Sequence, residues 1–110
     1  MPGEAALDTN IIIAYFKSEP AIKKKVLALE RVCLPVPVVG ELLFAAENSE
    51  RRHENPTIYH EFIKACRVLN LTRQTAAVYA RIKRDLKRLG RPIPENDLWI
   101  AAVCMERKSW

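Results

Sequence analysis

Short apolar runs alternate along this chain with stretches in which apolar residues recur at helical spacing. Ala5-Ala6-Leu7 is a thin strand, and Asn10 to Lys17 has the spacing of a helix. Ser18-Glu19-Pro20 offers a cap followed by a proline at the first helical position, and Ile22, Val26 and Leu29 then share one face. Val32-Cys33-Leu34-Pro35 reads as a short buried strand closed by proline, and Pro37 to about Asn48 as a mostly apolar helix. The polar segment Asn48 to Pro56 breaks the pattern as a loop or helix end. A helix from about Thr57 to Ala65 leads into a third strand, Val68 to Leu71. Thr72 caps the longest helix, with Val78, Ile82, Leu86 and Leu89 as its inward stripe and Gly90 as its end. Pro92 to Asn96 is a loop, and Asp97 opens a last helix running towards Arg107.

Strands separated by helical segments predict an α/β fold with a mostly parallel central sheet. Ligands of such sheets bind at the carboxyl ends of the strands. No repeat, low-complexity segment or second domain interrupts residues 1–110, which read as a single domain.

Composition narrows the partners. No apolar stretch reaches the ~18 residues of a membrane-crossing helix. The N-terminus lacks a basic flank and carries Glu4, unlike a signal peptide. Cys33, Cys66 and Cys104 are odd in number, match no zinc spacing and lie among apolar residues, so they read as buried, reduced thiols of a cytoplasmic protein. A net charge of +5 suits a polyanionic partner such as RNA or DNA without establishing one.

The candidate chemistry lies in three acids placed where acids are costly. Asp8 ends the first apolar run, Glu41 is the only charge between Leu34 and Ala46, and Asp97 opens an apolar helix. A carboxylate in such a setting must be paired, hydrogen-bonded, protonated or bound to a metal. Asp8 follows the first strand, while Glu41 and Asp97 each open a helix, so all three can converge on the carboxyl edge of the sheet. Converging carboxylates repel one another unless a cation is bound, and a hard divalent ion such as Mg²⁺ resolves this. Such an ion activates water and holds phosphate, the chemistry of phosphodiester hydrolysis. Thr9 and Asn10 could orient a ligand water or a carboxylate beside it. The bland alternative makes Asp8-Thr9-Asn10 and Asn96-Asp97 simple helix caps. His53 and His60 lie in polar segments and read as surface residues. Arg81, Arg84, Arg88 and Arg91 recur at helical spacing opposite the apolar stripe, as either a solvated face or a track for a phosphate backbone. Trp99, in the apolar run of the last helix, reads as core or dimer interface.

Leu7-Asp8-Thr9-Asn10, Val38-Val39-Gly40-Glu41-Leu42 and Ile93 to Ala102, with Asn96-Asp97-Leu98-Trp99-Ile100-Ala101-Ala102 the most specific part, together resemble the PIN domain family. More narrowly they resemble the VapC-type toxins of toxin–antitoxin systems. The resemblance implies a PIN-like α/β/α sandwich and a Mg²⁺- or Mn²⁺-dependent ribonuclease acting on an RNA substrate. It also implies a homodimer and a VapB-like antitoxin that covers the acidic groove. By motif, Asp8 and Asp97 match the principal metal ligands, and Glu41 a ligand of a second metal or of the metal's waters. Asn96 joins Thr9 and Asn10 as a supporting residue, and the arginine stripe is a candidate RNA contact. Family members continue past the Asp97 helix with a Thr-x-Asp-type segment supplying a fourth acid, so the chain reads as C-terminally truncated and short of its final strand or strands. The alternative function is a non-catalytic PIN domain that binds an antitoxin, itself or RNA.

Overall fold

The computed structural model describes residues 4–48 and 55–107. Three parallel strands form one sheet in the order β1-β2-β3: β1 (Glu4–Ala6), β2 (Arg31–Pro35) and β3 (Arg67–Leu69). The register sets Ala6 opposite Cys33 and Pro35 opposite Leu69, and the Leu7 amide extends the first ladder by donating to the Cys33 carbonyl at 3.0 Å. Successive strand residues point to opposite faces. In β2, Cys33, Leu34 and Pro35 are all buried, so both faces of the central strand are covered, as expected of a parallel sheet.

Six helices complete the described residues: α1 (Thr9–Phe16), α2 (Pro20–Leu27), α3 (Val36–Asn48), α4 (Asn55–Ala65), α5 (Arg73–Arg88) and α6 (Glu95–Glu106). The α/β class is therefore as the periodicity predicts. The core joins Leu7 and Leu34 from the sheet region with Ile12 of α1, Val26 of α2, Val38 and Leu42 of α3, and Val103 of α6. On the rim, Phe16 of α1 meets Phe62 of α4 edge-on, with ring centroids 5.1 Å apart.

Thr72 caps α5 as its residue type predicts. Its hydroxyl accepts from the Thr75 amide at 3.2 Å, and the Thr75 hydroxyl accepts from the Thr72 amide at 3.1 Å. This is a capping box with threonine in the place usually held by an acid. Gly90 follows α5 with φ +67°, the left-handed turn that glycine adopts without penalty.

Several expectations need correction. Strand β1 ends at Ala6, and β3 runs from Arg67 to Leu69 rather than from Val68 to Leu71. Ser18 does not cap α2: it has φ +60°, and Glu19 occupies the cap position without a side-chain hydrogen bond, although Pro20 takes the first helical position as expected. Leu89 leaves the inward stripe and is 69 % exposed, because α5 ends at Arg88 and the chain turns away. Helix α6 starts at Glu95, not at Asp97, since Pro94 with its fixed φ precedes the first turn. Trp99 is half-buried and stacks on Tyr79 of α5, with centroids 3.9 Å apart and planes 8° from parallel. The expected break at Asn48 to Pro56 lies mostly in residues 49–54, outside the described residues, as does His53. His60 is exposed. Cys33, Cys66 and Cys104 are free thiols, two of them buried and Cys66 half-buried. Among the described residues no helix is long and apolar enough to cross a membrane.

Candidate active site

Chain geometry brings the three acids to one place. Asp8 lies two residues past β1, α3 starts immediately after β2 and carries Glu41 in its second turn, and Asp97 lies in the first turn of α6. All three line a single cleft of about 740 Å³ at the carboxyl edge of the sheet. The remaining walls are Thr9 and Asn10 of α1, Phe44 of α3, and Ile100, Ala101 and Cys104 of α6.

Each acid is held differently. Asp8 is the N-cap of α1: its backbone is extended (φ −87°, ψ 172°) and its Oδ1 accepts from the Ile11 amide at 3.0 Å. The capping alternative is thus true of Asp8 and does not displace it from the cleft, since the same carboxylate lines both. Glu41 is half-buried and has both oxygens engaged. Oε1 accepts from the Thr9 hydroxyl, and Oε2 accepts from the Asn96 side-chain amide at 2.7 Å. Thr9 follows Asp8 and Asn96 precedes Asp97, so Glu41 braces the two flanking motifs across the cleft. Asp97 is exposed and sits where the amino-terminal field of α6 favours negative charge. It is not a cap; Pro94 holds that position and makes no side-chain bond.

Of the supporting residues, Thr9 and Asn96 orient the Glu41 carboxylate, while Asn10 is exposed at the rim. Sequence reasoning missed the apolar walls. Phe44 is 67 % exposed although aromatic, one turn beyond Glu41 on the same helix. Ile100, Ala101 and Cys104 recur at helical spacing from Asp97, which was the available signal. Burial pushes the Cys104 thiol up to about 11, and the nearby Asp8 charge adds to the rise. At neutral pH that wall is therefore an uncharged thiol.

The arginine stripe stands apart from the acids. Arg81, Arg84 and Arg88 are exposed on α5, Arg91 is exposed just beyond Gly90, and none of them lines the cleft. Arg84 pairs with Asp85 at 3.0 Å, and Lys83 pairs with Glu95 at 2.9 Å.

A divalent metal is the group this site and family imply, and the donors can be tested against it. Asp8, Glu41 and Asp97 share the cleft, but among the described residues no three acidic, histidine or cysteine side chains stand close enough together to hold one metal ion between them. Mg²⁺ keeps several waters and takes only one or two protein carboxylates, so it needs no cluster of three. Asp8 and Asp97 offer such oxygens, while both Glu41 oxygens already serve the brace.

A parallel sheet, helices over both faces of its central strand and an acid-lined cleft at its carboxyl edge define the class of this protein as an α/β domain with its candidate site at the strand ends. The chain belongs to the PIN domain family, which it matches over residues 5–109. It is 33% identical over 98 residues to Ribonuclease VapC2 of Haemophilus influenzae, an alignment covering 87% of this chain and 74% of that protein. It is 30% identical over 103 residues to the tRNA(fMet)-specific endonuclease VapC of Shigella flexneri, covering 92% of this chain and 78% of that one. Among solved structures, VapBC-1 from nontypeable Haemophilus influenzae superposes with a TM-score of 0.83 at 30% identity, covering 96% of this chain and 82% of the other. VapBC2 from Rickettsia felis, bound to a promoter DNA fragment, shares the fold at a TM-score of 0.86 and 19% identity, covering 96% and 83% of the two chains.

Proposed function

We propose that the protein is a divalent-metal-dependent endoribonuclease, the toxin of a toxin–antitoxin pair, with Asp8 and Asp97 holding the metal. The convergence of Asp8, Glu41 and Asp97 on one cleft carries this reading. It is supported by relatives named as VapC ribonucleases and by structural neighbours that are VapBC complexes. A VapB-like antitoxin is the partner these neighbours support. Held by Asp8 and Asp97, a Mg²⁺ or Mn²⁺ ion would supply an activated water and neutralise charge on the scissile phosphate. The chain's own part is positional. Asp8 is fixed by its cap, and Asp97 projects from the first turn of α6. Glu41, through Thr9 and Asn96, sets the spacing between the segments that carry them.

The direct test is RNA cleavage by the purified chain in Mg²⁺ or Mn²⁺, followed by EDTA and then metal again. Cleavage stops in EDTA and returns with metal. Equal cleavage throughout sinks the proposal.

The brace gives a second expected result. Thr9→Val removes the hydroxyl donor to Glu41 without changing side-chain size and lowers kcat about 10–100-fold, the usual cost of losing a partner that orients a ligand set. Thr9→Ser keeps the hydroxyl and restores most of the activity. Equal loss in both variants would show that the hydrogen bond is not the cause.

A further inference from the structure

The cleft has a charge problem. Its walls contribute the carboxylates of Asp8, Glu41 and Asp97, and its lining among the described residues includes no lysine or arginine. Its volume of about 740 Å³ is that of a pocket for a small molecule, so it encloses only a short stretch of a polymer. A polyanion gains most of its affinity from cations that replace its counterions. For an RNA substrate, those cations must stand outside the cleft.

Helix α5 supplies them in the right half. Its first eight residues, Arg73–Ala80, carry one cation, Arg73. From Arg81 to Arg88 the helix carries Arg81, Lys83, Arg84, Lys87 and Arg88 against a single acid, Asp85, and Arg91 follows. At 3.6 residues per turn, Arg81, Arg84, Lys87 and Arg88 fall on the side away from half-buried Ile82 and Leu86. Arg81, Lys87, Arg88 and Arg91 are exposed and have no acidic partner among the described residues. Exposed Ala76, Ala77 and Ala80, with small side chains, precede them on the helix.

The packing of α5 on α6 fixes where this surface lies. Thr75, near the start of α5, donates to Glu106 at the end of α6 at 2.5 Å. Lys83, near the other end, pairs with Glu95 at the start of α6 at 2.9 Å. The two helices therefore run antiparallel, and the cation-rich half of α5 lies at the end of α6 that carries Asp97.

We propose that Arg81, Arg84, Lys87 and Arg88, continued by Arg91, form a second RNA-binding surface that holds the phosphate backbone of the substrate outside the cleft. The proposal deepens the ribonuclease reading and rests on it for the identity of the ligand. Cleavage occurs among the acids, and the affinity comes from α5.

Binding is measured in EDTA by fluorescence anisotropy of a labelled RNA oligonucleotide, with Asp97→Asn as the parent protein so that no cleavage intervenes. The dissociation constant is followed against salt concentration. Neutralising Arg81, Arg88 and Arg91 together as glutamine lowers the slope of log affinity against log salt by about two, and weakens binding roughly 100-fold at about 0.1 M salt. Asp85→Asn removes the stripe's one acid and tightens binding. Neutralising Lys23 and Lys24, which are exposed on α2, changes the slope little. An unchanged slope in the triple variant overturns the proposal, as does an equal loss per charge on α2. If the triple variant fails to fold, the sign of the Asp85→Asn effect decides alone, and a loss or no change overturns it. A wild-type chain that binds RNA with these slopes but never cleaves it removes the ribonuclease reading and leaves this surface standing.

Discussion

Asp8→Asn is expected to lower metal-dependent RNA cleavage by at least about 100-fold and to leave the melting temperature almost where it was. Asp8 has two duties that one substitution can separate. As N-cap of α1 it accepts from the Ile11 amide, and asparagine caps a helix about as well as aspartate. As a proposed metal ligand it contributes a charge, which the amide lacks. Loss of an outer partner alone costs about 10–100-fold, so loss of the ligand charge lowers kcat/KM by at least about 100-fold. Asp8→Ala removes both duties, loses the same activity and also about 1 kcal/mol of stability with the cap. Cleavage assays paired with thermal melts of the two variants give the answer. Asp8→Asn with near-normal cleavage would remove Asp8 from the metal site; a large fall in melting temperature would show that the charge is structural.

Leu42→Ala produces the largest loss of stability expected from a single change near the site. Leu42 is 0 % exposed, follows Glu41 on α3 and belongs to the core shared by the sheet and α6. Truncation loses the transfer energy of the removed carbons and leaves a cavity, together about 2–5 kcal/mol. Against a total of about 5–15 kcal/mol for a domain, that is a substantial share. The melting temperature falls by on the order of 10–20 °C. Urea denaturation followed by circular dichroism measures the change directly. A cost under about 1 kcal/mol would mean that α3 repacks freely over the sheet, and that the Glu41 brace is not held by the core beneath it.

The parts of this structure readable beforehand were those decided by local pattern. Apolar runs located β2, and the threonine at position 72 and glycine at position 90 marked the ends of α5 because capping and left-handed turns are local chemistry. The three acids were conspicuous because each interrupts or opens an apolar stretch, and the α/β pattern sends such positions to one edge. What escaped the sequence depends on contacts across the fold. Nothing local says that Thr9 and Asn96 both donate to Glu41, or that Phe44 stays exposed beside it. The start of α6 was misplaced because Asn96-Asp97 looks like a cap, whereas Pro94 already holds the helical entry. Trp99 reads from its apolar run as core or dimer interface, and the structure leaves it half-buried in a flat stack on Tyr79, a contact that no local pattern announces.

The two hydrogen bonds of Glu41 span 32 and 55 residues of sequence. Contacts of such separation carry a larger loop-closure entropy than local ones, and they are slow to close for that reason. A chain folded from its first residue through α3 can bring Glu41 to Thr9, but it has neither Asn96 nor Asp97 in place until α6 docks. The cleft is thus assembled late, by the last of the described helices to emerge. A nascent or partly folded copy holds only part of the acid set.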